Sequence, residues 1–161
     1  MSYSFVDKMM ESIRTGELKS PVEQLVGMKL VEFGRGQTTY ELAVRPEHSN
    51  PIGIVQGGVA TVLADAAMAM AMATTLTNDE IRREAITTVD LFSRFMRPIS
   101  ARKVSVLRAD AHVIRTGRHI IWAECGVSAD GDCIGRFNAT GSRVPFDQKD
   151  HAFASSTTST A

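Results

Sequence analysis

The chain lacks a net charge, because eighteen Lys and Arg side chains cancel eighteen Asp and Glu. A balanced surface makes no global field, which excludes recruitment of nucleic acid or an anionic membrane by overall charge. Any anionic ligand must be held by local cations. Cysteine is scarce too: Cys125 and Cys133 are the only two, eight positions apart, and form no CxxC pair. The N-terminal MSYSFVDKMMES carries an early acidic residue and no apolar run of the kind a secretory leader needs, so a reducing, cytoplasmic setting is expected. The four histidines, His48, His112, His119 and His151, show no ligand spacing, and no metal site is expected.

Charge is missing most conspicuously in the middle of the chain. Between Glu47 and Asp79 the only formally charged side chain is Asp65. Val59 to Leu76 is nearly all Ala, Val, Leu, Met and Thr, long enough to span a bilayer. An aspartate near the centre of a spanning helix costs about 3 kcal/mol, and Ala is only weakly apolar. The segment therefore reads as a buried helix in a globular domain. At 161 residues the chain fits one domain with one core.

What is present organises around that helix. Phe5, Met9 and Ile13 with a charged opposite side predict a short amphipathic helix ending near Gly16, a lid or packing arm over residues 1–20. Ser20-Pro21 opens a second short helix that closes at Gly27. Leu30 and the alternation Tyr40, Leu42, Val44 flank a Gly34-Arg35-Gly36-Gln37 turn and predict a hairpin. A Pro-, Asn- and Gly-rich loop, 45–55, leads to Gly57-Gly58 and the long helix. Polar residues 78–83 end it. Four strands follow over 87–95, 104–113, 118–127 and 134–142, joined by turns at Arg97-Pro98, Thr116-Gly117 and Asp130-Gly131-Asp132. In the third of these, Ile121, Ala123, Cys125 and Val127 face one way and Ile120 and Trp122 the other, which predicts a sheet covered on both sides, by the helix and by another subunit. The domain spans 21–146. The polar stretch 147–161, ending SSTTSTA, reads as a disordered tail.

A lone carboxylate in an apolar helix, with no basic residue within four positions, costs several kcal/mol or shifts its pKa unless something compensates it. On a helical wheel Val59, Val62, Leu63, Ala66, Met70 and Ala73 form the expected core stripe. Gly58, Thr61, Asp65, Met68 and Met72 form a second stripe facing elsewhere. A surface aspartate, or one bonded to a neighbouring loop, would satisfy the same pattern. Two turns earlier, unpaired N–H groups and the positive end of the helix dipole at Gly57-Gly58 suit a polarised carbonyl. Met68, Met70 and Met72 read as gap-filling core before they read as an acyl pocket, and His48 as a loop-packing residue.

The run His48-Ser49-Asn50-Pro51-Ile52-Gly53-Ile54-Val55-Gln56-Gly57-Gly58, followed by Asp65, resembles the signature of the hotdog-fold acyl-CoA thioesterases of the PaaI-like, phenylacetate-pathway type. Ile86-Thr87-Thr88-Val89-Asp90, Phe95-Met96-Arg97-Pro98 and Gly117-Arg118 extend the likeness to roughly 21–145. The resemblance implies an α+β hotdog fold, one long central helix wrapped by a curved antiparallel sheet of five to six strands. It implies homodimers with shared active sites, assembled as a dimer of dimers, and hydrolysis of an acyl-CoA thioester without a cofactor. Asp65 would be nucleophile or general base, the Gly57 N–H would polarise the carbonyl, and Asn50 would orient substrate or water. Thr88, from the partner subunit, would position the lytic water. Gln56 stands where the family usually has histidine; it can donate a hydrogen bond but cannot change charge. Arg97, Arg115, Arg118 and Arg143, with Thr116 and Gly117, would hold coenzyme A. The glutamine leaves a non-catalytic acyl-CoA binding or sensing protein as the alternative, and counts against a hydratase, which wants the histidine.

Overall fold

A computed structural model describes residues 4–18 and 20–146; the expected tail lies outside them. Helix α1, Phe5–Thr15, is capped by Ser4, whose hydroxyl accepts the Asp7 N–H while Asp7 reaches back to the Ser4 N–H. It ends at Gly16 in the left-handed conformation, as α2, Pro21–Val26, does at Gly27. Ser20 precedes α2 but makes no side-chain cap. Val6 and Met10 of α1 are buried with the rest of the core, and α1 packs over β1.

The hairpin forms as expected, β1 Met28–Gly34 and β2 Gln37–Ala43. Helix α3, Gly57–Ala73, follows, and then β3 Glu84–Phe95, β4 Val106–Thr116, β5 Ile120–Ala129 and β6 Asp132–Pro145. Several strands outrun the alternation that marks them. All six join one antiparallel sheet in the order β1-β2-β4-β5-β6-β3. Helix α3 packs against one face of it, touching β2, β3, β4 and β5. Tyr40, Leu42, Leu63, Leu107, Ile121 and Phe137 are fully buried between the layers. No helix among the described residues is long and apolar enough to cross a membrane.

The helix turns a different face to the sheet from the one its wheel suggests. Ala60, Leu63, Ala64, Ala67, Met68, Ala71 and Met72 are buried, while Val62 is exposed and Val59, Ala66, Met70 and Ala73 are only partly covered. A helix apolar almost all round has no strong moment to orient it. Alanines then decide, because they let the backbone approach the sheet. On β6 the approach leaves no room for a side chain at Gly141, where a β-carbon would overlap Met72 Sδ and crowd Ile86 Cγ2. Met68 and Met72 are thus core residues, as the gap-filling reading expects.

Bulges set which side chains look at α3. In β3 the register with β6 shifts between Thr88 and Asp90, leaving Val89 unpaired. Such an extra residue switches the alternation of faces. Thr88, before the bulge, and Ser93 and Phe95, after it, all reach α3 residues, although an unbroken strand would turn Thr88 away from the other two.

Candidate active site

Helix α3 runs antiparallel to β3, and three contacts measure the alignment. Phe95 lies over Gly57, so that a β-carbon there would be 3.0 Å from its ring. Thr61 Oγ1 is 3.4 Å from Ser93 Oγ. Thr88 Oγ1 donates to Asp65 Oδ1 at 2.7 Å. The resemblance brings Thr88 from a partner subunit, but the chain's own Thr88 makes this bond. The reason is the Val89 bulge, which lets Thr88 face its own helix. Having given its one hydrogen to Asp65, the Thr88 hydroxyl can only accept further hydrogen bonds. Among the described residues no Lys or Arg pairs with Asp65.

The other half of the signature gathers at the start of α3. His48 is buried and belongs to the loop: Nδ1 accepts the Arg45 N–H at 3.0 Å, which leaves Nε2 to carry the proton and donate to Val26 O at 2.9 Å. Its carbonyl accepts the Gln56 N–H at 2.8 Å and so fixes the helix entrance. Asn50 Oδ1 accepts the N–H groups of Ile52 and Ile54, both at 3.1 Å. That orientation leaves the Asn50 amide NH2 without a partner among the described residues, a donor held by its own loop. The Gln56 side chain is exposed and caps nothing. Asn50, Gly57 and Phe95 line one cleft of about 360 Å³ with Ile54, Met96 and Arg97.

The arginines expected to hold coenzyme A do not converge within one protomer. Arg97 is at the Gly57 end, bonded to Asp132 at 2.7 Å. Arg115 lies 5.8 Å from the centre of the Trp122 ring. Thr116 ends β4, and Gly117 and Arg118 form the turn after it, closed by Gly117 N–H to Ile120 O at 2.8 Å. Arg143 is mostly buried and engaged by Glu80 and Glu84, and it also donates to Arg118 O. Two carboxylates neutralise it where it stands, which fits a tie between β6 and the segment before β3 better than a phosphate ligand. Arg143 and the 115–118 turn lie near the Ile86 end of β3, about 30 Å along the strand from Phe95. No group of three His, Cys, Asp or Glu able to hold a metal occurs among the described residues.

Sequence reasoning missed Phe95 as the neighbour of Gly57 and Ser93 as the neighbour of Thr61. Thr88-Val89-Asp90-Leu91 alternates polar and apolar without a break, so the sequence carries no local signal for the bulge between Thr88 and Asp90.

A long helix lying across a six-stranded antiparallel sheet, with a carboxylate in its middle and a glycine at its start, is the hotdog arrangement. The thioesterase superfamily pattern matches residues 52–133, half of the chain, and the chain belongs to that superfamily. Among solved structures it is similar to a phenylacetic acid degradation-related protein of Ralstonia eutropha JMP134, at TM-score 0.71 and 26% identity, covering 83% of this chain and 98% of that one. It is also similar to the PaaI protein of the Escherichia coli phenylacetic acid degradation operon, at TM-score 0.73 and 18% identity, covering 88% and 96%. F42H10.6 of Caenorhabditis elegans, a candidate esterase by name, is 26% identical over 111 residues, or 69% of this chain and 60% of that protein's length.

Proposed function

We propose that the protein hydrolyses acyl-CoA thioesters, with Asp65 as general base. The observation that carries this reading is the Thr88 to Asp65 hydrogen bond. It orients a carboxylate beside a hydroxyl that can only accept, so a water seated between them donates one hydrogen to each and turns its lone pair outward. The water oxygen attacks the thioester carbon while its proton passes to Asp65. The carbonyl oxygen, held at the Gly57 N–H and the Asn50 amide, takes the negative charge. Collapse breaks the carbon–sulfur bond, and the proton on Asp65 goes to the departing thiolate.

One chain cannot supply both halves of that site. Gly57 and Asp65 are eight positions apart on one helix, about 12 Å along its axis. The Gly57 N–H points out of the helix start, away from Asp65, whereas reacting atoms must come within about 3–3.5 Å. A second copy supplies the missing half. Strand β3 is one of the sheet's two edges, the one away from α1 and α2, with Val89 60%, Phe92 58% and Phe95 51% exposed, an edge that invites pairing. Phe95 marks the level of Gly57 and Thr88 that of Asp65. An antiparallel β3 pair with its twofold axis between Leu91 and Phe92 therefore sets each Gly57 beside the partner's Asp65.

Thiol release from a panel of aryl- and fatty-acyl-CoA esters tests the proposal. Release by the wild-type protein that Asp65→Asn abolishes supports it. Saturable binding without release makes the protein a non-catalytic acyl-CoA binder.

A further inference from the structure

A hydrolase for coenzyme A esters needs a seat for phosphates; within one protomer the cations first expected there are occupied or distant, and only the β3 pairing proposed above would carry the partner's 115–118 turn toward the Gly57 end. Arg97 is paired with Asp132, Arg143 with Glu80 and Glu84, and the 115–118 turn lies at the other end of the sheet in the same protomer. Beside the Gly57 cleft lies a second groove of about 750 Å³, and Asn50 lines both. Ser49 and Ser100 also line the second groove, and its cation is Arg102. Neither Arg102 nor its neighbour Lys103 has a carboxylate partner among the described residues.

The turn that carries Arg102 is tied to the loop that carries Asn50. Ser100 bridges to Ile54, Ala101 N–H donates to Gly53 O at 3.0 Å, and Lys103 N–H closes the turn on Ser100 O at 3.0 Å. A cation on a braced turn, in a concave groove sharing a wall with the carbonyl-binding donors, suits a small phosphorylated ligand. A guanidinium gives a phosphate two parallel hydrogen bonds.

We propose that Arg102 anchors a phosphate of the coenzyme A moiety, with the thioester at Asn50 and Gly57 and the nucleotide in the groove lined by Ser49 and Ser100. The inference rests on the thioesterase reading. Concavity favours a free nucleotide over the phosphopantetheine of a carrier protein, which would meet a flat or convex surface.

The test compares one acyl group on coenzyme A, on dephospho-coenzyme A, on pantetheine and on a carrier protein. Arg102→Ala is expected to raise KM for the coenzyme A ester about tenfold, equivalent to about 1.4 kcal/mol, with kcat unchanged. Its kcat/KM for the pantetheine ester, which has no phosphate to hold, stays at the wild-type value. Arg102→Lys recovers part of the loss. A KM effect that disappears with dephospho-coenzyme A assigns Arg102 to the 3′-phosphate, and one that persists assigns it to the pyrophosphate. An unchanged KM for the coenzyme A ester, an equal loss on the pantetheine ester, or a loss confined to the carrier-protein ester overturns the proposal. Calorimetric binding of adenosine 3′,5′-bisphosphate to the wild-type protein and Arg102→Ala needs no turnover. If no ester is hydrolysed, the thioesterase reading fails while this measurement still decides the anchor: equal binding by both proteins, or binding by neither, sinks it.

Discussion

Thr88 donates its hydroxyl hydrogen to Asp65 across 2.7 Å, and the two residues meet only because Val89 is bulged out of β3. Asp65→Asn keeps the shape and removes the base, so kcat is expected to fall about a thousandfold with KM little changed. Thr88→Val keeps the volume and removes the hydroxyl that seats the water, for an expected loss of about ten- to a hundredfold in kcat. A single turnover in heavy-oxygen water separates base from nucleophile. A base route puts the label in the first acid released and never in Asp65, whereas a nucleophile route whose anhydride is opened at the Asp65 carboxyl carbon leaves it in Asp65. A label in Asp65 would overturn the general-base assignment.

The 12 Å span between Gly57 and Asp65 along α3 makes a prediction about mixtures. Asn50→Ala and Asp65→Asn are each expected to be inactive alone. In a mixed dimer one site unites the intact Asn50 of one chain with the intact Asp65 of the other. Statistical mixing then restores about a quarter of the wild-type activity, half the dimers carrying one good site. Unfolding and refolding the two variants together, then measuring thiol release, checks this. A mixture as inactive as its components would show that each site lies within a single chain.

How much of this could be read beforehand depended on the range of the interaction. Asp65 stood out because no other formal charge occurs between Glu47 and Asp79, and the hairpins were legible from glycine turns between alternating runs. Those are local signals. The face α3 turns to the sheet was not legible, since a helix apolar all round gives its wheel nothing to choose between, and the choice fell to Gly141, far away in sequence. Arg143 read as a phosphate ligand because its partner Glu84 is 59 positions away. Thr88 reaches Asp65 of its own chain through the register shift at Val89, which no local pattern in the sequence marks. Arg102 went unnoticed because what distinguishes it is the lack of an ion-pair partner, which only the fold reveals.

The tie between β6 and the segment before β3 should show in the acid limb of stability. The Glu80 carboxyl is held down to about 2, first by the Thr77 N–H bonded to it and then by Arg143. A carboxylate with its folded value below its ordinary 4.5 contributes fully above that ordinary value and loses the contribution as pH falls toward 2. Glu80→Gln is therefore expected to lower Tm at pH 7 by roughly 2–4 °C, for a pair partly open to solvent on the Glu80 side and worth about 1 kcal/mol. The difference from wild type should shrink steadily between pH 4.5 and 2. A gap constant over that range in thermal melts would show that the carboxylate's charge is not what stabilises the tie.

The two cysteines differ in a way that reports on the layer between sheet and helix. Cys125 is buried on β5 opposite Ala111 and Phe137, and burial, reinforced by the Asp110 carboxylate, pushes its thiol up to about 12. At pH 8 only about one in ten thousand such thiols is ionised, and the thiolate is the reactive form. Cys133 is exposed at the start of β6. Iodoacetamide at pH 8 is therefore expected to modify Cys133 alone in the native protein, and both cysteines in urea. Both cysteines fall in the one tryptic peptide 119–136, so its fragment ions in tandem mass spectrometry read which of them is modified. Alkylation of Cys125 at a rate matching Cys133 under native conditions would mean that α3 and the sheet separate on the timescale of the reaction, which the core under Asp65 and Thr88 should prevent.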